Sequence, residues 1–172
     1  LGPLIPLQIE RVNGIAGRVD VGSGRFTLRS PDTSGDSVES LLLGGRNGGA
    51  WDGDAGITSS VVESDTANGI VRSVGWKENS DGSITVAYAA PGDVNLDGEV
   101  NVFDMVDVTS SGRYGEGTAS VWSQGDFDYN GVTNIFDLVV VNGAGVYGAG
   151  NYLPEPSAAA SVAAVPEPSL GL

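Results

Sequence analysis

The sequence predicts a mainly β chain. A β-sandwich-like domain spans residues 1–90, a small module of paired loop–helix units spans residues 91–150, and a Pro/Ala-rich tail spans residues 151–172. Three observations predict this division. Gly accounts for 27 of 172 residues and Lys77 is the only lysine, which disfavours long helices and favours short strands joined by turns. Short runs of alternating apolar and polar residues recur through the first region. A gapless repeat with an offset of 33 residues fills the second.

In the first region, Leu7-Gln8-Ile9-Glu10 alternates as a strand does. It belongs to the segment LGPLIPLQIERV (residues 1–12), whose Pro3 and Pro6 fit an extended arm. Leu4, Ile5, Leu7 and Ile9 would either extend a sheet in a second copy of the chain or form an ordinary first strand. Gly22-Ser23-Gly24 joins Arg18–Val21 to the alternating run Arg25–Ser30. Ser37–Leu43 fits a strand or a short helix equally well. GRNGGAWDGDAGITSS (residues 45–60) reads either as a binding loop with Trp51 as a stacking platform for sugars, or as a glycine-rich connection with Trp51 as its core anchor. The second reading is favoured, because buried aromatics are the commoner case. Ile70, Val74 and Trp76 and then Ile84, Val86 and Tyr88 flank Asn79-Ser80-Asp81-Gly82, a hairpin turn whose Asp-Gly pair tolerates positive φ. Several short strands at this spacing read as a sandwich or small barrel.

In the second region, DVNLDGEVNVFDMVDVTSSGRYGEG (residues 93–117) aligns with DFDYNGVTNIFDLVVVNGAGVYGAG (residues 126–150). Asp93/Asp126, Gly98/Gly131, Asn101/Asn134, Phe103/Phe136, Asp104/Asp137, Tyr114/Tyr147 and Gly115/Gly148 are identical, and Gly92 and Gly125 precede the two copies. Each copy reads as a twelve-residue loop followed by a short apolar helix, Val102–Thr109 and Ile135–Asn142, ending at Ser/Gly-rich residues. Pro91-Gly92 stands where an entering helix would be.

A calcium ion needs six to eight hard oxygen ligands, and a loop must bend sharply to supply them from alternate positions. Positions one, three and five are Asp93, Asn95 and Asp97 in the first loop, and Asp126, Asp128 and Asn130 in the second. Gly98 and Gly131 take the sixth position, where the turn falls. Glu99 and Val132 would offer backbone carbonyls at position seven, and Asn101 and Asn134 would reach the ion through water at position nine. Asp104 and Asp137 close the cage at position twelve, where an EF-hand carries Glu. Asx-rich turns that merely cap helices would look similar once; two copies in register argue for two calcium sites.

These loops resemble a duplicated type I dockerin, the calcium-dependent module that attaches cellulosomal enzymes to cohesins; the likeness covers about 60 residues. In dockerins, loop positions ten and eleven often carry small or hydroxyl residues that contact the cohesin. Here they are Val102-Phe103 and Ile135-Phe136, read as packing the two helices against each other or against the β domain. The wider arrangement is similar to planctomycete-type exported surface proteins, in which a β passenger runs into a dockerin-like repeat. GDFDYNG (residues 125–131), LPEPS and VPEPS all fit that pattern. Val165-Pro166-Glu167-Pro168-Ser169 resembles a PEP-CTERM sorting signal, which implies an exported bacterial protein at the cell surface. The start at Leu1, without Met or a charged leader, is read as that of a processed, exported chain.

Composition narrows the function further. The net charge of −14 opposes binding to nucleic acid or an anionic membrane, and no run approaches the roughly 20 apolar residues of a membrane span. Residues 91–150 hold nine acids against Arg113 alone. The absence of His and Cys removes zinc sites, Ser-His-Asp triads and Cys-His pairs. The leading expectation is a non-catalytic, calcium-stabilised structural subunit of an extracellular or cell-surface assembly, polymerising with copies of itself through its termini. One alternative is a dockerin-type adaptor for a cohesin-like receptor, and a surface polysaccharide is a further candidate ligand. The other alternative is a small glycan-active enzyme using Asp52, Asp54 and Glu63.

Overall fold

The computed structural model describes residues 17–29 and 35–154. The expected strand and arm at residues 1–12 and the Pro-Glu-Pro tail from residue 155 onward lie outside them. The described chain is mixed α/β, which corrects the expectation of a mainly β chain with a β-sandwich. Its strands are β1 (Arg18–Asp20), β2 (Arg25–Leu28), β3 (Gly56–Thr58), β4 (Ser73–Glu78) and β5 (Ile84–Ala89). Its helices are α1 (Gly35–Arg46), α2 (Ser60–Ala67), α3 (Val102–Ser110) and α4 (Ile135–Ala144). Two small sheets form, a parallel β1–β3 pair and an antiparallel sheet in the order β2-β5-β4.

The β4–β5 hairpin forms as its turn chemistry predicts. Glu78 pairs with Ile84 and Ser73 with Ala89, and the Asp81 carboxylate accepts from the Ser83 amide at 3.1 Å. β4 begins at Ser73, so Ile70 stays outside it and is exposed. β5 is the central strand and is buried along its whole length. Gly22-Ser23-Gly24 does connect β1 to β2, but the two strands join different sheets. Asp20 accepts from the Ser60 amide and the Ser59 hydroxyl donates to the Gly22 carbonyl, which fastens β1 beside β3 and the start of α2.

α1 resolves the ambiguous Ser37–Leu43 run as helix, and its Val38 and Leu42 are fully buried. Its glycines serve close packing, not turning: a Cβ on Gly45 would stand 1.8 Å from the Ile57 carbonyl oxygen in β3. α2 is capped by Ser59, whose side chain accepts from the Val62 amide at 3.0 Å. Trp51 is buried with φ of 61°, so it anchors the core instead of offering a stacking platform.

The buried apolar side chains form one cluster containing Trp51, Val74, Val86, Leu96, Trp122 and Tyr129. The expected boundary near residue 90 falls inside it, since Ala89 and Ala90 are fully buried. Trp122 is the keystone of the seam. Its ring lies edge-on to Phe127 at 5.1 Å, and it sits so close to β4 that a Cβ on Gly75 would lie 2.5 Å from it. The Tyr129 hydroxyl donates to the Val74 carbonyl, and the Tyr129 ring meets Trp51 edge-on at 6.1 Å. The base formed by α1 and the sheets therefore braces the repeat from below.

Candidate metal centre

The two loops share one backbone conformation. Leu96 and Tyr129 at position four both have φ of 60°, and Gly98 and Gly131 at position six have φ of 94° and 87°. Only glycine adopts the position-six conformation without strain. The hydrogen bonds repeat as well. The Asp93 carboxylate accepts from the amides of Asp97 at 3.1 Å and Gly98 at 2.9 Å, and Asp126 accepts from Asn130 at 3.1 Å and Gly131 at 2.8 Å. The acid at position twelve reaches back in both copies. Asp104 accepts from the amides of Val94 and Asn101, and Asp137 from those of Phe127 and Asn134.

These contacts also cap the helices. Asn101 and Asn134 are the N-caps of α3 and α4, and each forms a reciprocal capping box with the Asp three residues on. Asp104 and Asp137 stand at the first turn, where a helix favours negative charge. Their shorter side chain suits this double task, since it holds the helix start down against the loop start.

Burial decides the electrostatics. Asp93, Asp104 and Asp126 are fully buried, and Asp137 is 1% exposed. Among the described residues the one ion pair is the exposed Arg29–Asp81 contact at 3.0 Å, far from these loops in sequence. The buried loop acids are thus compensated by backbone amides and, at Asp93, by the Tyr152 hydroxyl, and not by cations. Burial pushes all four above the usual carboxylate range. Asp126 rises to about 7, chiefly through burial and then through the neighbouring Asp137 charge, against a lowering by the Gly131 amide. Buried carboxylates without a cation are costly unless a metal or a proton neutralises them.

In the second loop, Asp126, Asp128 and Asp137 bring carboxylate oxygens within 4.8 Å of one another, and the three can form a metal-binding group. Among the described residues this is the one such group of three acidic side chains. The first loop assembles differently because its position three is Asn95. Asp93 and Asp104 are buried together, while Asp97 is exposed and its carboxylate accepts from the Glu99 amide at 2.9 Å. Asn130, at the corresponding position of the second loop, accepts from the Val132 amide at 3.0 Å. The Glu99 side chain is exposed and that of Val132 is half-buried. Asn101 and Asn134 are half-buried, each with its side-chain oxygen on an amide, Phe103 or Phe136, at 2.8 Å. The donor set is oxygen throughout, which fits a hard divalent cation.

Each loop is braced by chain that follows the other helix. The Gly148 amide donates to the Val100 carbonyl at 2.8 Å, and the Gly115 amide donates to Thr133 at 2.9 Å. Val141 of α4 packs over Gly92 at the start of the first loop, and Val108 of α3 packs over Gly125 at the start of the second. The halves are thus interlocked about an approximate two-fold.

Several supporting residues carried no signal in the sequence. Trp122 donates from its indole nitrogen to the Asp93 carbonyl at 2.9 Å, Lys77 donates to the Asn95 carbonyl, and Tyr152 donates its hydroxyl to Asp93 at 2.6 Å. Val102, Phe103, Ile135 and Phe136 are 56%, 70%, 57% and 65% exposed, which corrects the expectation that they pack between the helices or onto the base. The carboxylates weighed for glycan chemistry, Asp52, Asp54 and Glu63, are all exposed. A cleft of about 260 Å³ between α1 and the second loop is lined by Arg46, Arg72 and Asp128 but by none of those three. No family model, no curated protein and no solved structure matches the chain.

Proposed function

We propose that the chain is a non-catalytic, calcium-stabilised structural subunit of an extracellular or bacterial cell-surface assembly, joined to its partners through the apolar faces of α3 and α4. Two calcium ions would be bound, one by Asp93, Asn95, Asp97, Asp104 and the Glu99 carbonyl, with Asn101 acting through water. The other would be bound by Asp126, Asp128, Asn130, Asp137 and the Val132 carbonyl, with Asn134 acting through water. Each ion supplies positive charge to buried carboxylates that otherwise lack it. The residues hold the ion, close the loop on the helix start and exclude water from the inner side, where Trp122 and Tyr129 pack. Millimolar calcium outside cells suits modules of modest affinity.

The observation that carries the docking role is the duplication of the exposed face. Val102 and Ile135, Phe103 and Phe136, and Val106 and Val139 correspond across the repeat, and all six are more than half exposed. Large apolar side chains concentrated in this way mark interaction surfaces. A second copy of the chain is the first candidate occupant. A cohesin-like protein is the second, and it would have to accept bulky Phe103 and Phe136 at loop position eleven, where the resembled dockerins carry small or hydroxyl residues.

Sedimentation velocity in calcium tests this. The wild type should self-associate as concentration rises, and the F103S/F136S variant should stay monomeric. Each substitution, at an exposed site, should change stability by no more than about 0.5 kcal/mol. A wild type that is monomeric at high concentration refutes self-assembly through this face, and adding a type I cohesin then tests the second occupant.

A further inference from the structure

We propose that Tyr152 is a positioning residue for the first loop alone, so that the strap Asn151–Leu153 makes the two calcium sites inequivalent. The inference rests on the calcium reading of the loops. The strap lies along the first loop: the Tyr152 amide donates to the Gly98 carbonyl at 3.0 Å, and Leu153 packs over Gly98. Its phenol donates to Asp93 Oδ2 at 2.6 Å, the same oxygen that accepts from the Gly98 amide at 2.9 Å. Oδ2 is thereby committed to the protein, and the rotation of the carboxylate is fixed before an ion arrives. Oδ1, whose protein donor is the Asp97 amide at 3.1 Å, is left as the oxygen for the metal.

The second loop has the strap without the phenol. Chain following α3 crosses it in the same way, with the Ser120 amide donating to the Gly131 carbonyl at 3.0 Å. Ser120 occupies the place of Tyr152, and its hydroxyl meets Thr133 at 2.8 Å instead of the position-one acid. Asp126 is held by the amides of Asn130 and Gly131 alone. One loop therefore has its first ligand oriented by a side chain from the far end of the module, 59 residues away, and the other does not.

The ring of Tyr152 has its own support. The Arg72 guanidinium lies 5.4 Å from its centre and Tyr88 lies 6.5 Å away. Y152F keeps these contacts and removes only the hydroxyl. Loss of a group that orients a metal ligand costs roughly 10- to 100-fold in affinity.

The test is a calcium titration of the full chain followed by NMR at the amides of Gly98 and Gly131, each bonded to its own loop's first acid. In Y152F the Gly98 midpoint should move to about 10- to 100-fold higher calcium, with the Gly131 midpoint unchanged. Y88F, which removes the neighbouring hydroxyl from Asp65, should move neither. Equal shifts at both glycines, or no shift at Gly98, overturn the role of Tyr152 while leaving the calcium reading intact. A wild type in which neither amide responds to calcium overturns both.

Discussion

The buried loop acids make a quantitative demand on the metal-free protein. Asp126 has its folded-state pKa raised from 3.8 to about 7, and it is fully buried. An acid whose pKa is raised on folding binds its proton more tightly in the native state, so stability falls as pH rises from the unfolded value through the folded one. Between about pH 5.5 and about pH 7 the unfolded chain is already ionised at this position while the folded chain is releasing its proton. At 1.36 kcal/mol per unit, that interval costs the fold about 2 kcal/mol from Asp126 alone. Asp93, Asp104 and Asp137 are raised in the same direction by burial. The assay is urea unfolding in excess chelator at about pH 5.5 and about pH 7.5, followed by the fluorescence of the buried Trp51 and Trp122. In chelator the chain should be less stable at the higher pH. In saturating calcium the order should reverse, because the ion binds deprotonated carboxylates. A chelated chain that is equally or more stable at about pH 7.5 would refute the claim that these acids are buried without cationic compensation.

Two further outcomes follow from the packing. G75A should destabilise the chain by about 1–3 kcal/mol, read as a lower denaturation midpoint, since its Cβ would lie 2.5 Å from Trp122 and 2.8 Å from Leu96. An unchanged midpoint would mean that Trp122 is free to move away from β4. D104A should lose the first ion and D137A the second, each leaving the other loop able to bind, as calorimetric titration would show. Two ions bound at wild-type affinity in either variant would remove the position-twelve acids from the ligand set.

The duplicated loops were legible because residue types recur at fixed intervals, and the interval between Asp93 and Asp104 recurs between Asp126 and Asp137. α3 and α4 were legible for a related reason: Asn101 and Asn134 cap them, and apolar residues follow at once. The first region was misread where glycine serves packing. Gly44 and Gly45 lie inside α1, and Gly45 and Gly56 bring α1 and β3 together at distances no side chain would permit. α2 buries only Val62 among its residues, so it has no apolar stripe for periodicity to reveal. The parallel pairing of β1 with β3 spans α1 and leaves no local signature. The outward display of Phe103 and Phe136 was also hidden, since an apolar residue on a short helix reads as core until the partner surface is known to be absent. Tyr152 looked like the start of a tail, and nothing local ties it to Asp93.

Calcium stoichiometry tests the account's central claim most directly. Equilibrium dialysis of the full chain against calcium should find two ions per chain, both removed by chelator, with protons competing for the second site near neutral pH, where Asp126 titrates at about 7. A chain that binds no calcium at millimolar concentration, or whose stability is indifferent to it, would contradict the assignment of these two loops as metal sites.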